Sequence, residues 1–84
     1  MTYTLARLPP GESGRVAALD FPPRKARRME DLGFLTGQQV TALHTPPFGG
    51  ITAYQVLDTV IALRDTDASR ITLYTLQDEK DDVL

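Results

Sequence analysis

Apolar and polar residues alternate along most of the chain, and this period of two is typical of β-strands with one buried face. Strand-forming residues are concentrated in five segments: 14–19, 38–44, 51–57, 60–64 and 70–76. Proline, glycine and aspartate separate these segments, which indicates turns and loops between them. The alternation predicts inward positions for nine strand residues: Val16, Val40, Ala42, Ile51, Ala53, Ile61, Leu63, Ile71 and Leu73.

Residues 24–32 depart from this alternation and predict one short basic helix. Their apolar members recur every third residue and so share a helix face: Ala26, Met29 and Leu32. Met29 and Leu32 are expected to join the strand residues in the core. A proline pair precedes the segment and suits the first helical turn, and Asp20 is a candidate for the cap or for a first-turn anion.

Gly33 is predicted to end this helix in a left-handed conformation, with Phe34 folding back onto the helix. A helix of about ten residues is not stable alone in water. We therefore expect the sheet to hold it.

About five short antiparallel strands and one short α-helix can bury a core if the sheet bends into a partly open barrel. Residues 65–69 predict a single helical turn before the last strand, because their polar side chains can cap backbone N–H groups. The sequence thus predicts a mainly β fold in one domain, residues 1–76, followed by an acidic, flexible tail at residues 77–84.

The net charge of −2 is unevenly distributed. The tail carries four acidic residues against one lysine, whereas four basic residues lie close together on the predicted helix: Arg24, Lys25, Arg27 and Arg28. The acidic tail would repel a phosphate backbone, so no nucleic-acid partner is expected. Cysteine is absent, which favours a reducing cytoplasm. Neither a signal peptide nor an apolar stretch long enough to enter a membrane is evident.

No residue pattern predicts catalysis or a cofactor. His44 is the one histidine, so a metal-ligand set or an activated Ser13 or Ser69 has no evident basis. The candidate functional residues are instead partner contacts, and each has a purely structural alternative. The basic helix cluster could be a solvated face, Phe48 could fold into the end of the barrel, and Tyr54, placed outward by alternation, could be an ordinary strand residue.

Four motifs follow one another along the chain: Gly-Glu-Ser-Gly-Arg-Val at 11–16, Leu-Gly-Phe-Leu-Thr-Gly at 32–37, Pro-Phe-Gly-Gly at 47–50, and Ile-Ala-Leu-Arg at 61–64 with Ala68 and Ile71 behind it. In this order they resemble FeoA, the small accessory protein of bacterial ferrous iron transport. The resemblance extends from about Leu5 to Leu73. The acidic tail lies outside it, and Asp58-Thr59 stands where the family often has glycine or a basic residue at a tight turn.

The resemblance implies an SH3-like barrel and a non-enzymatic cytoplasmic role in which the protein binds the GTPase part of a FeoB-type iron transporter. A similar domain ends the metal-dependent repressors of the diphtheria-toxin-repressor type, so a regulatory domain that binds metal or a peptide is an alternative. A module that self-associates through an uncovered strand edge is a third hypothesis.

Overall fold

The computed structural model describes residues 2–44 and 49–75. Its strands are β1 (Thr2–Thr4), β2 (Ser13–Leu19), β3 (Gln39–His44), β4 (Ile51–Val56), β5 (Thr59–Arg64) and β6 (Ile71–Thr75). Its helices are α1 (Pro23–Asp31) and α2 (Asp65–Ala68), and a 3₁₀ turn covers Leu5–Arg7. Phe48 and the acidic tail lie outside the described residues, so the domain boundary at residue 76 stays a prediction.

The strands form an antiparallel sheet in the order β1-β6-β2-β3-β4-β5, and β1 and β5 are its two edges. Bulges interrupt the pairing of β2 with β6 and of β3 with β4, and such bulges bend a sheet. The mainly β architecture is confirmed, with six strands rather than about five. The additional strand, β1, has only three residues. It is too short to show alternation and forms by pairing with β6.

The core lies between the bent sheet, α1 and the 3₁₀ turn. Leu5 and Phe34, from the 3₁₀ turn and the segment after α1, are fully buried within it. The predicted inward positions are confirmed for most strand residues and for one helix residue: Val16, Val40, Ala42, Leu63, Ile71, Leu73 and Met29. Ile61 is half-buried and packs against this core.

The predicted orientation of β4 was wrong by one residue. Ile51 is 44% exposed, whereas Tyr54, predicted to face outward, is only 1% exposed. Ala53 is half-buried rather than in the core. The pairing with β3 explains the difference, since Ala42 lies opposite Tyr54 and cross-strand partners share a sheet face. Both alternating sets of residues in β4 contain apolar side chains, so the sequence alone does not show which set faces the core.

The helix α1 begins after Pro22, which occupies the capping position without a side-chain hydrogen bond, so Asp20 does not cap it as predicted. Ala26 is half-buried and Met29 is buried, but Leu32 is 40% exposed, contrary to its predicted core position. Residues spaced three apart fall short of a full helical turn. Leu32, the last of the three, is therefore rotated away from the side of the helix that packs on the core. Leu32 is also the C-cap residue.

The turn after α1 has the predicted form. Gly33 takes a φ of +117°, and its N–H donates to the Glu30 carbonyl at 3.0 Å. The Phe34 N–H donates to the Met29 carbonyl at 3.1 Å, which completes a Schellman motif. Phe34 itself is fully buried. The turn thus ends the helix and anchors it to the core.

Gly33→Val should destabilise the protein by roughly 3 kcal/mol, because strained backbone and overpacking act together. An added Cβ would lie 3.1 Å from Leu57 Cδ1 and 3.3 Å from Val56 Cγ2. Gly37 is the matched control, since its φ is +89° but a Cβ there meets no atom within 4 Å. Urea unfolding should therefore show a clearly smaller loss for Gly37→Val. Equal losses would contradict the role of packing around Gly33.

Tyr54 is the one buried phenol in the described core, and its hydroxyl donates to the Leu5 carbonyl at 3.5 Å. Burial raises the pKa of Tyr54 above its ordinary value of 10.0. The negative charge of Asp65 acts in the same direction, whereas a hydrogen bond with the Thr52 side chain acts against it. The folded state therefore favours the neutral phenol.

This raised pKa predicts a stability loss in alkali. In the window above pH 10 and below the raised pKa, the unfolded chain gives up the Tyr54 proton while the folded chain keeps it. The free energy of unfolding should then fall by up to about 1.4 kcal/mol per pH unit. Tyr54→Phe should remove this component, as measured by urea midpoints from about pH 8 to pH 11. Tyr74→Phe, at a half-buried tyrosine, should leave it in place; an unchanged slope in Tyr54→Phe would contradict the assignment.

Candidate functional site

Three arginines of α1 face solvent: Arg24, Arg27 and Arg28 are all exposed. Within the part of the chain that the structure describes, none of the three is joined by an ion pair or a side-chain hydrogen bond. Arg24 and Arg28 are four residues apart and therefore lie on one side of the helix. They form a positive cluster on α1, next to the exposed carboxylates of Glu30 and Asp31 near the end of the same helix.

Lys25, predicted to belong to the same cluster, has an internal partner. Its Nζ lies 2.8 Å from Asp67 Oδ1 in α2 and 5.5 Å from the centroid of the Phe21 ring. Phe21 is half-buried and packs against the core. Lys25 therefore links α1 to α2, which separates it from the three arginines.

A double-mutant cycle of Lys25→Ala and Asp67→Ala should give a coupling energy below about 1 kcal/mol, because partly exposed ion pairs contribute little. The two side chains are 47% and 23% exposed. Salt should reduce the coupling, since the pair is accessible to ions. A coupling that is absent at low salt would contradict the link between the two helices.

Three exposed leucines surround the turn at Gly33, and we call Leu32, Leu35 and Leu57 the leucine cluster. They are 40%, 47% and 56% exposed, respectively. Leu57 comes from the hairpin between β4 and β5, and its Cδ1 lies 3.1 Å from the position that a Cβ on Gly33 would occupy. The absence of that Cβ lets the hairpin tip approach the end of α1.

Leu57 has an unusual backbone, with a φ of +55°. The turn consists of Leu57 and Asp58, since Val56 pairs with Thr59, so the predicted turn at Asp58 and Thr59 was one residue late. A left-handed leucine costs about 1–2 kcal/mol, and such strain is concentrated at functional sites. The Leu57 carbonyl accepts a hydrogen bond from Gln55 Nε2 at 3.1 Å.

The arginines and the leucine cluster adjoin, because Arg28 and Leu32 are four residues apart and the Leu32 N–H donates to the Arg28 carbonyl. We call Arg24, Arg27, Arg28 and the leucine cluster together the docking surface. It combines positive charge with exposed apolar side chains, which suits recognition of another protein. The sequence predicted its arginines but not Leu35 and Leu57. The apolar residues beside predicted turns were the signal that could have found them.

Other predicted features lie elsewhere. Tyr54 is in the core and is therefore not a surface contact. His44 is exposed at the end of β3, and residues 2–44 and 49–75 contain no group of three or more metal-ligand side chains that could hold an ion. Among these same residues, no helix has the length and apolar character needed to cross a membrane.

The FeoA domain model matches residues 3–74. The chain belongs to the FeoA family. Its structure is similar to that of the Chlorobium tepidum FeoA protein, with a TM-score of 0.81, 26% identity, and coverage of 87% of this chain and 70% of that one. No curated protein matches the chain.

The Stenotrophomonas maltophilia FeoA, solved with zinc and described as a procaryotic SH3 domain protein, has a TM-score of 0.72. The two sequences are 34% identical, and the match covers 83% of this chain and 87% of the Stenotrophomonas maltophilia protein. A manganese-dependent transcriptional repressor shares the fold at a TM-score of 0.78 and 20% identity, and the match covers 89% of this chain and 42% of the repressor. The SH3-like prediction is thus confirmed.

Proposed function

We propose that this FeoA-family protein is a non-enzymatic accessory protein of ferrous iron uptake that acts in the cytoplasm. It binds the cytoplasmic GTPase part of a FeoB-type transporter and modulates transport. The observation that carries the proposal is the family match over residues 3–74. A role as a ferrous iron transport activating factor has been suggested for the relative from Stenotrophomonas maltophilia.

The docking surface supports binding of a protein partner with an acidic and apolar contact region. Its arginines would attract that region and set the association rate and selectivity. Its leucines would supply buried apolar area once the partner is in place. Leu57 is the central member, because it is the most exposed of the three leucines and is held in a strained conformation.

The repressor-type alternative has less support. The likeness to the manganese-dependent repressor is at 20% identity and indicates a shared fold. Nothing observed in the described residues favours a metal-regulated function for this chain over transport.

Arg28→Glu should weaken binding to a purified FeoB cytoplasmic domain by at least about tenfold at low salt, because it reverses charge within the docking surface. An exposed charge change should alter the free energy of unfolding by no more than about 0.5 kcal/mol. Arg7→Glu is the matched control, since Arg7 is an exposed arginine on the 3₁₀ turn. Calorimetric titration that gives equal affinities for the two variants would remove α1 from the proposed interface.

Leu57→Asn should weaken binding to the FeoB domain without a matching loss of stability. Asparagine tolerates left-handed backbone better than leucine. This gain opposes the loss of Leu57 packing over Gly33, so the free energy of unfolding should change by less than about 1 kcal/mol. The same variant should bind the FeoB domain less tightly, because it removes the most exposed leucine of the docking surface. Unchanged affinity would show that the leucine cluster is not part of the contact.

A further inference from the structure

The outer side of β5 is an unpaired sheet edge. Within residues 2–44 and 49–75, β5 pairs only with β4 and is the last strand of the sheet. The edge strand has six residues, which is long for an exposed edge. Proteins usually protect such an edge with charges, proline or a bulge, and β5 has one charged residue, Arg64, at its end.

The register identifies which backbone groups of β5 are unpaired. Val56 and Thr59 close a two-residue turn, so they form a hydrogen-bonded pair and the bonding alternates from there. The Asp65 N–H donates to the Gly50 carbonyl at 2.9 Å, which is in phase with this alternation. The N–H and carbonyl groups of the intervening residues therefore point away from β4; these residues are Val60, Ala62 and Arg64.

The side chains of these same three residues leave the edge accessible. All three are exposed, and Val60 is 58% exposed, the highest value among the large apolar residues of the described chain. Ala62 in the middle has no bulk that could block an approaching strand. With respect to the described part of the chain, the edge is therefore both unpaired and accessible to another strand.

We infer that the edge of β5 pairs with β5 of a second copy of this chain, in an antiparallel arrangement centred on Ala62. Ala62 then faces Ala62 of the second copy. Val60 of each copy faces Arg64 of the other, so this second pair occurs twice. Three hydrogen-bonded pairs give about six bonds between the copies. The two sheets become one continuous sheet.

The charges near the edge of β5 favour a second copy of this chain as its partner. In this register, Arg64 of each copy lies near the hairpin turn that carries Asp58 of the other, and the two-fold axis repeats this approach of opposite charges. The aliphatic part of Arg64 can also cover the exposed Val60 opposite it. A net charge of −2 per chain gives little repulsion between copies. The pairing is measured on the isolated chain, so its test does not depend on whether a transporter binds the docking surface.

Ala62→Pro tests the edge directly. Proline is tolerated on an edge strand where the N–H points outward, and it removes the central donor while its ring blocks approach. Ala62→Ser is the matched control, because it keeps that N–H. Circular dichroism should show that both variants are folded.

Light scattering should be measured on the full chain from about 10 μM to 1 mM, because a single strand edge gives a weak contact. We expect the mean mass of the wild type and Ala62→Ser to rise above the 9.3 kDa monomer. Ala62→Pro should need at least about tenfold higher concentration for the same rise. A wild type that stays monomeric, or an Ala62→Pro variant that dimerises equally well, overturns the proposal.

The register has its own test, which does not depend on how the proline variant folds. Val60→Glu places a carboxylate opposite Arg64 of the second copy, whereas Val60→Arg places like charges there. Val60 is an exposed position, so both variants should fold. The glutamate variant should dimerise about five- to tenfold more tightly than the arginine variant at low salt. Equal dimerisation, or the reverse order, overturns the arrangement centred on Ala62.

Discussion

The turn at Gly33 and Phe34 is the constraint on which the rest of the structure depends. It ends α1 through two backbone hydrogen bonds and places the Phe34 ring fully in the core. A nine-residue helix has little stability of its own, so its position follows from such anchors rather than from helix propensity. The orientation of the arginines, and therefore of any charged contact, is set by this turn together with Met29 and Lys25.

The same turn explains why an apolar surface exists beside the helix. Gly33 has no side chain, and the space this leaves is occupied by Leu57 from the β4–β5 hairpin. A hairpin of this length usually has glycine or asparagine at the first turn position, where this chain has leucine at a φ of +55°. Leu57 therefore combines a costly backbone conformation with packing over Gly33, while much of its side chain stays exposed. The leucine cluster and the strained turn are thus two aspects of one arrangement.

The features that local chemistry determines were predictable from the sequence. Proline before α1, glycine after it and alternation in the strands gave the order of the elements. The phase of β4 was not predictable in this way, because Ile51 and Ala53 are as apolar as the residues that face inward. It is set by pairing with β3, where Ala42 faces Tyr54. Similarly, the partner of Lys25 is 42 residues away in sequence, so no local pattern could separate it from the three arginines.

The two edges of the sheet differ in a way that local sequence does not reveal. β1 has three residues, and a strand of that length presents few unpaired backbone groups. β5 has twice that length, and its exposed edge positions are Val60, Ala62 and, at its end, the charged Arg64. An SH3-like sheet that closed on itself would satisfy both edges internally, but in the described residues β1 and β5 do not pair. The outer groups of β5 have no strand partner among residues 2–44 and 49–75, which leaves them available to water or to another chain. Bonding to water costs little only while the edge stays solvated. The exposed apolar side chain of Val60 favours bonding to another chain, because that pairing would also cover Val60.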